Sequence, residues 1–157
     1  QAGISVALDT SGWVQISCPE IRETIRQLLK TVNLVILDIK SPDSGKFQWL
    51  TGRPIEPLAR FIELCQEIGT PLWVRQVIVP GWNDQAADIA ALRDFLAGWP
   101  NLNLQKVQLL PHHTLGEGKW HRLGRAYPFA GTPPPDSESL MNLQKLADDL
   151  IHIRAVS

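Results

Sequence analysis

The chain has 157 residues, with 15 Lys+Arg against 16 Asp+Glu, a formal net charge of −1, 44% apolar and 20% charged residues. That length suits one domain, expected over residues 1–157, at the usual roughly 100–200 residues per domain, and the balanced charge excludes the basic footprint of a nucleic-acid binder. No apolar run approaches the ~18 residues of a membrane span and no charged segment leads into an apolar core as in a signal peptide, so a soluble, cytoplasmic protein is expected.

The first strand is expected at residues 4–8, starting almost at once after Gln1, with no initiator Met and no lead-in. A helix near 18–31 follows. Ser17 and Glu20 stand in S-x-x-E spacing, Pro19 lies in the first turn, and Ile21, Ile25, Leu28 and Leu29 share a face. Residues 34–39 read as the second strand. The second helix, 55–68, points Leu58, Phe61, Ile62 and Cys65 inward and stops at Gly69. The third strand spans 72–79, and its helix, 84–97, starts from an Asn83 or Asp84 cap and carries Ile89, Leu92, Phe95 and Leu96. The fourth strand, 104–110, opens into an irregular stretch from Pro111 to Pro135, about twice the length such a connection needs. A last helix, 137–152, places Leu140, Leu143, Leu146, Ala147, Leu150 and Ile151 at helical spacing.

Strictly alternating strands and helices demand right-handed crossovers and a parallel sheet. Runs this apolar are typical of parallel strands covered on both faces. The fold class is therefore α/β, either part of a barrel or an open doubly wound sheet. Cys18 and Cys65 stand far apart on helical segments, which indicates neither a disulfide framework nor a CxxC metal site and fits a reducing compartment.

Parallel architectures bind ligands at the carboxyl ends of their strands. Asp9-Thr10-Ser11-Gly12 follows the first strand, Asp38-Ile39-Lys40 the second and His112-His113 the fourth, while Arg75 lies inside the third. Each has a plainer reading. Asp9 to Gly12 could be an Asx turn, and Lys40, two positions after Asp38 and on the same strand face, could simply neutralise it. Arg75 shares a face with Trp73, Val77 and Val79, where a guanidinium needs a carboxylate partner or an anionic ligand. Adjacent histidines without a third ligand argue against zinc. Most of the six tryptophans read as packing; Trp82 and Trp120, in rim loops, are candidates for a partner surface. Two chemistries remain open on the residues alone. One is a Schiff-base, aldolase-like lyase with Lys40 as nucleophile and Asp9 or Asp38 as acid/base. The other is a rim for a zwitterionic ligand, with Arg75 and Lys40 on its carboxylate, the aspartates on an ammonium or cation, and His113 on a ring or hydroxyl.

The ordered set Leu8-Asp9-Thr10-Ser11-Gly12, Leu37-Asp38-Ile39-Lys40, Trp49-Leu50-Thr51-Gly52, Trp73-Val74-Arg75, Val79 to Asp84, Leu109 to Gly116, Lys119-Trp120 and Pro133-Pro134-Pro135 resembles the glycyl-radical-enzyme activating enzymes, a radical S-adenosylmethionine (SAM) family. The resemblance implies the carboxyl-side part of a partial six-unit, TIM-like (β/α) barrel. It also implies Asp9, Thr10 and Asp38 at a monovalent-cation site, Asp38, Ile39 and Lys40 against SAM, Arg75 at the SAM and catalytic centre, and His113 on the nucleoside. His112 stands where the family has Tyr.

The family's C-x-x-x-C-x-x-C segment, which holds a 4Fe-4S cluster, and its glycine-rich G-G-E segment are absent from these residues. The resemblance thus implies a piece that binds the cluster only through a preceding segment and is inactive by itself. It implies a glycyl-radical enzyme as protein substrate and a flavodoxin or ferredoxin-type reductant for the whole enzyme. A non-catalytic partner-binding remnant is the alternative.

Overall fold

A computed structural model describes residues 3–154 and the side chains of residues 3–149. Any structure at Gln1 and Ala2, and the inward placement expected for the Leu150 and Ile151 side chains, lie outside the described residues. Four parallel strands form one sheet in the order β1 (Ala7–Thr10), β2 (Leu34–Asp38), β3 (Leu72–Ile78) and β4 (Leu104–Pro111). Each connects to the next through helix, as the alternation of apolar runs and amphipathic segments requires: α1 (Pro19–Thr31), α2 (Ser44–Thr51), α3 (Glu56–Ile68) and α4 (Ala86–Ala97), with α5 (Glu117–Arg122) and α6 (Ser137–Arg154) after β4.

Helices cover one sheet face only among the described residues, which corrects the expectation of strands buried on both sides. Val35, Leu37, Leu72, Val74, Ile78 and Val107 are fully buried against Leu58, Phe61, Ile62, Leu92 and their neighbours. The alternate residues of β2 and β3, including Ile36, Asp38, Trp73 and Arg75, face the other way and are only half-buried. One irregularity sets the phase of β4. The register passes from Leu72 opposite Leu104 to Trp73 opposite Lys106, a bulge at Gln105. It brings Val107 and Leu109 to the core and sends Lys106, Gln108 and Leu110 to the open face, where Lys106 Nζ sits 4.9 Å from the Trp73 ring.

Several elements depart from the sequence expectations. The first strand starts and ends later than residues 4–8, because Ile4 and Val6 are exposed and the ladder with β2 begins at Ala7. No S-x-x-E cap forms: Cys18 is the N-cap, Pro19 fills the first helical position, and Cys18 Sγ donates to Glu20 Oε2 at 2.8 Å. Helix α4 starts from Gln85, which shares a capping box with Asp88, and Asn83 serves the loop instead. Its buried side chain accepts from Val79 N–H and donates to Val77 C=O, closing the turn after β3. Helix α2 was not evident in the sequence. It is eight residues long and buries only Phe47, held by an Asp43 cap on the Lys46 amide and a left-handed Gly52. Helix α5 likewise interrupts the long stretch expected to be irregular.

The free edge of β4 is covered by α6. Gln144 Nε2 donates to Val107 C=O and its Oε1 accepts from Leu109 N–H, both at 2.8 Å, so one side chain replaces a missing strand partner.

Candidate functional site

In-register parallel strands place Asp9 beside Ile36, Ile36 beside Trp73, and Asp38 beside Arg75, so Asp9, Asp38, Lys40 and Arg75 share the open sheet face. They form two pairs. Arg75 Nη2 donates to both carboxylate oxygens of Asp9, at 2.6 and 2.7 Å. Lys40 Nζ donates to Asp38 Oδ2 at 2.9 Å. The plainer reading of Asp38 and Lys40 as an ion pair therefore holds as geometry, Arg75 has the carboxylate partner of its two expected alternatives, and the Asp9 carboxylate is on Arg75 instead of closing an Asx turn. The turn after β1 is built by Thr10, whose Oγ1 accepts the Gly12 amide at 3.0 Å, so the Asp9 side chain is left for Arg75.

Two cavities adjoin this face. A smaller one, of about 260 Å³, is lined by Ser11, Asp38, Lys40, Thr51 and Arg53 among others. The larger, of about 350 Å³, shares Lys40 and Thr51 with it and continues to Val77, Trp82, His112, His113, Tyr127 and Phe129. Its wall is an aromatic cluster. Trp82 packs on Trp49 with ring centroids 4.7 Å apart and edge-on to Phe129 at 5.5 Å, while His112 stacks on Tyr127 at 6.0 Å. Lys46 Nζ, donating to Trp82 C=O and to Asp88, ties the loop that carries Trp82 to α2.

The structure places the sequence candidates unevenly. Ile39 does not reach the rim: its side chain is fully buried in the core and its amide donates to Arg75 C=O, because residue 39 has the opposite strand phase from Asp38 and Lys40. His113 is exposed at the cavity wall, and its neighbour His112 is the buried member of the pair. Tyr127 and Phe129 carried no signal in the sequence beyond lying in an unusually long connection. His112 had one, since alternation along β4 puts residue 112 on the same side as Leu110.

Several buried polar atoms of this region have no hydrogen-bond partner within the protein. Among the described residues these include Asp38 Oδ1, Arg75 Nε, Trp82 Nε1 and His112 Nε2. Burial, with a smaller contribution from His113, holds the His112 imidazole below its usual value of 6.5. In the folded protein it takes up its proton at a lower pH than in the unfolded chain, whose imidazole protonates as pH falls past 6.5. Stability is therefore full above that window and declines below it. His112→Phe is expected to shrink the drop in urea midpoint between about pH 7.5 and about pH 5.5, read by far-ultraviolet circular dichroism.

No protein-family model matches the chain. It is 33% identical over 146 residues to a protein of Streptococcus mutans named pyruvate formate-lyase-activating enzyme, covering 93% of this chain and 55% of that protein. A protein of the same name from Staphylococcus epidermidis is 33% identical over 138 residues, covering 88% of this chain and 54% of that protein. The chain thus spans about half the length of the curated relatives it matches. Among solved structures, a domain of pyruvate-formate lyase-activating enzyme from Bacteroides vulgatus superposes with a TM-score of 0.68 at 22% identity, over 94% of this chain and 78% of that one. A radical SAM methyltransferase from Sphaerobacter thermophilus gives 0.63 at 20%, over 92% of this chain and 37% of that one. These likenesses establish the fold as the parallel α/β arrangement that the two solved structures share.

Proposed function

Because this chain is a homologue of the pyruvate formate-lyase-activating enzymes along 93% of its length, we propose that it carries the SAM-binding wall of a radical SAM activase whose protein substrate is a glycyl-radical enzyme. The observation that supports this reading best is the gathering of Asp9, Asp38, Lys40 and Arg75 on one open sheet face beside an aromatic cavity. SAM is an amino acid joined to a purine nucleoside, so it asks for charge at one end and flat apolar walls at the other. Lys40 holds the carboxylate, and Asp9, Thr10 and Asp38 hold a monovalent cation next to it. His113, at the cavity wall, contacts the nucleoside, and Arg75 stands at the reacting centre. The buried, unpaired Asp38 Oδ1 and Arg75 Nε fit a charged head group, and the unpaired nitrogens of Trp82 and His112 fit a base with polar edges.

Bound here, SAM would supply the hydrogen-abstracting radical that converts a glycine of the partner, once an electron from a separate reductant cleaves its sulfonium carbon–sulfur bond. The cysteines of this chain do not fit the cluster that such chemistry uses. Cys65 is buried in the core and its thiol is pushed up to about 12 by burial, Cys18 stands on another element, and no group of three His, Cys, Asp or Glu among the described residues could hold a metal ion.

The Lys40 amine bonds Asp38, which bears equally on a Schiff base and on a ligand carboxylate, so borohydride trapping at Lys40 with a carbonyl substrate is the test of the Schiff-base alternative. The partner-binding alternative draws on Trp49, which is 59% exposed beside Trp82 at the same rim. Titration calorimetry separates the readings. SAM is expected to bind this chain in potassium buffer with a micromolar Kd, and more weakly in tetramethylammonium; no binding in either buffer overturns the proposal. Anaerobic reconstitution with iron and sulfide is expected to give no SAM-reducible cluster spectrum, and its appearance would refute the assignment of the cluster to a different segment.

A further inference from the structure

Two anchors act on the loop between β3 and α4, and they have separate tasks. Asn83 clamps the turn itself, accepting from Val79 N–H and donating to Val77 C=O, so the backbone leaves β3 on a fixed course. Nothing in that clamp fixes the Trp82 ring, whose neighbours are Trp49 at 4.7 Å, Phe129 at 5.5 Å and the Lys46 ammonium at 5.3 Å. Lys46 reaches Trp82 a second time, since its Nζ donates to the Trp82 C=O at 2.8 Å and also to Asp88 Oδ1 at 3.2 Å. Asp88 is itself held in place, because its Oδ2 accepts the Gln85 amide at the start of α4. One ammonium on α2 thus engages the carbonyl and the ring of one residue and draws α2 to the end of α4.

We infer that Lys46 is a positioning residue for the aromatic cavity: it sets the plane of the Trp82 ring and holds α2 in place as part of the cavity wall. Helix α2 has little else to hold it there. It is eight residues long, buries only Phe47 and ends at the left-handed Gly52, so few apolar contacts resist its opening. Yet it supplies Leu50 and Thr51 to the cavity, and it supplies Trp49, three positions after Lys46 and on the same helix face, to the Trp82 stack. Lys46 does not itself line the cavity and acts through Trp82. An indole fixed between aromatic faces and a cation is a rigid, flat surface suited to a planar ring. The inference rests on the SAM reading, in which that ring is the purine base, and deepens it by naming the residue that sets the wall.

The Trp49 and Trp82 pair gives the test a signal that needs no ligand. Two indoles this close and inclined by 34° couple as excitons, and no other two tryptophans stack among the described residues. The far-ultraviolet circular dichroism couplet therefore reports their geometry, and Trp49→Leu, at an exposed position, should abolish it and serves as the zero. Lys46→Met keeps the stem and removes the charge. It is expected to lower the couplet by about half or more and to weaken SAM binding about fivefold or more, because a wall that must be ordered on binding lowers affinity. The urea midpoint should move little, since the Lys46 and Asp88 side chains are 39% and 24% exposed. Lys46→Arg should restore both signals, as a guanidinium also donates to a carbonyl and stacks on an indole. Asp88→Asn separates positioning from a plain ion pair: Lys46 keeps the Trp82 C=O, so the couplet should persist.

An unchanged couplet in Lys46→Met, or a couplet that falls equally in Asp88→Asn, overturns the inference and leaves Lys46 as an ion-pair partner only. A lost couplet with unchanged SAM affinity overturns its role for the cavity. Should Lys46→Met fold poorly, Lys46→Gln, which keeps a donor without the charge, is read in the same way. If the native chain binds no SAM, the SAM reading falls, while the couplet still decides whether Lys46 sets Trp82.

Discussion

Gly12→Ala is expected to lower the stability of the protein by about 3 kcal/mol, the sum of a strained left-handed backbone and an overpacked core. Gly12 has φ near 66°, and a methyl group built on it would lie 2.6 Å from Leu37 Cδ1 and 3.0 Å from both Leu58 Cδ1 and Phe61 Cδ1. These are fully or almost fully buried side chains of β2 and α3, so they have little room to retreat. The chain must turn sharply here to carry β1 into the segment before α1, and Thr10 fixes the turn through the Gly12 amide itself. The effect should therefore extend to the site, displacing Asp9 from Arg75. Urea unfolding followed by circular dichroism measures the first part; a loss below about 1 kcal/mol would mean that the core repacks around the added methyl.

Lys40→Met should cost about 2–3 kcal/mol of SAM affinity, roughly 30- to 150-fold in Kd, while leaving the fold nearly intact. The asymmetry follows from the surroundings. The Lys40–Asp38 pair is partly solvated, with side chains 38% and 22% exposed, so its loss changes stability by under about 1 kcal/mol. Arg75 is placed to take over Asp38 once Lys40 is gone. A ligand carboxylate has no such substitute. Lys40→Arg, which keeps the charge, should recover most of the affinity. Calorimetric Kd values beside unfolding midpoints test the split, and equal losses in both would assign Lys40 to structure alone.

Much of this protein was legible in one dimension. Apolar runs of strand length separated by amphipathic segments define parallel βα units, because only that order buries both kinds of element around one sheet. The rim residues were legible for a related reason: a charged residue ending an apolar run, as Asp38 does after Leu34 to Leu37, has to serve something. Helices α2 and α5 were not legible. They are short and bury little, so no periodicity announces them, and Asp43 and Gly52 are all that mark α2.

Tertiary structure alone decided how the site is wired. Composition cannot say that Arg75 passes over its neighbour Asp38 to reach Asp9, since this depends on the register of three strands and on Lys40 already occupying Asp38. Nor can it say that Ile39 belongs to the core, that a bulge at Gln105 turns Lys106 onto the open face, or that Trp49, Trp82 and Phe129 meet there. Patterning along a chain specifies which residues prefer burial. Pairing between distant segments specifies which charges become neighbours, and that depends on alignments across the sheet that no local preference encodes.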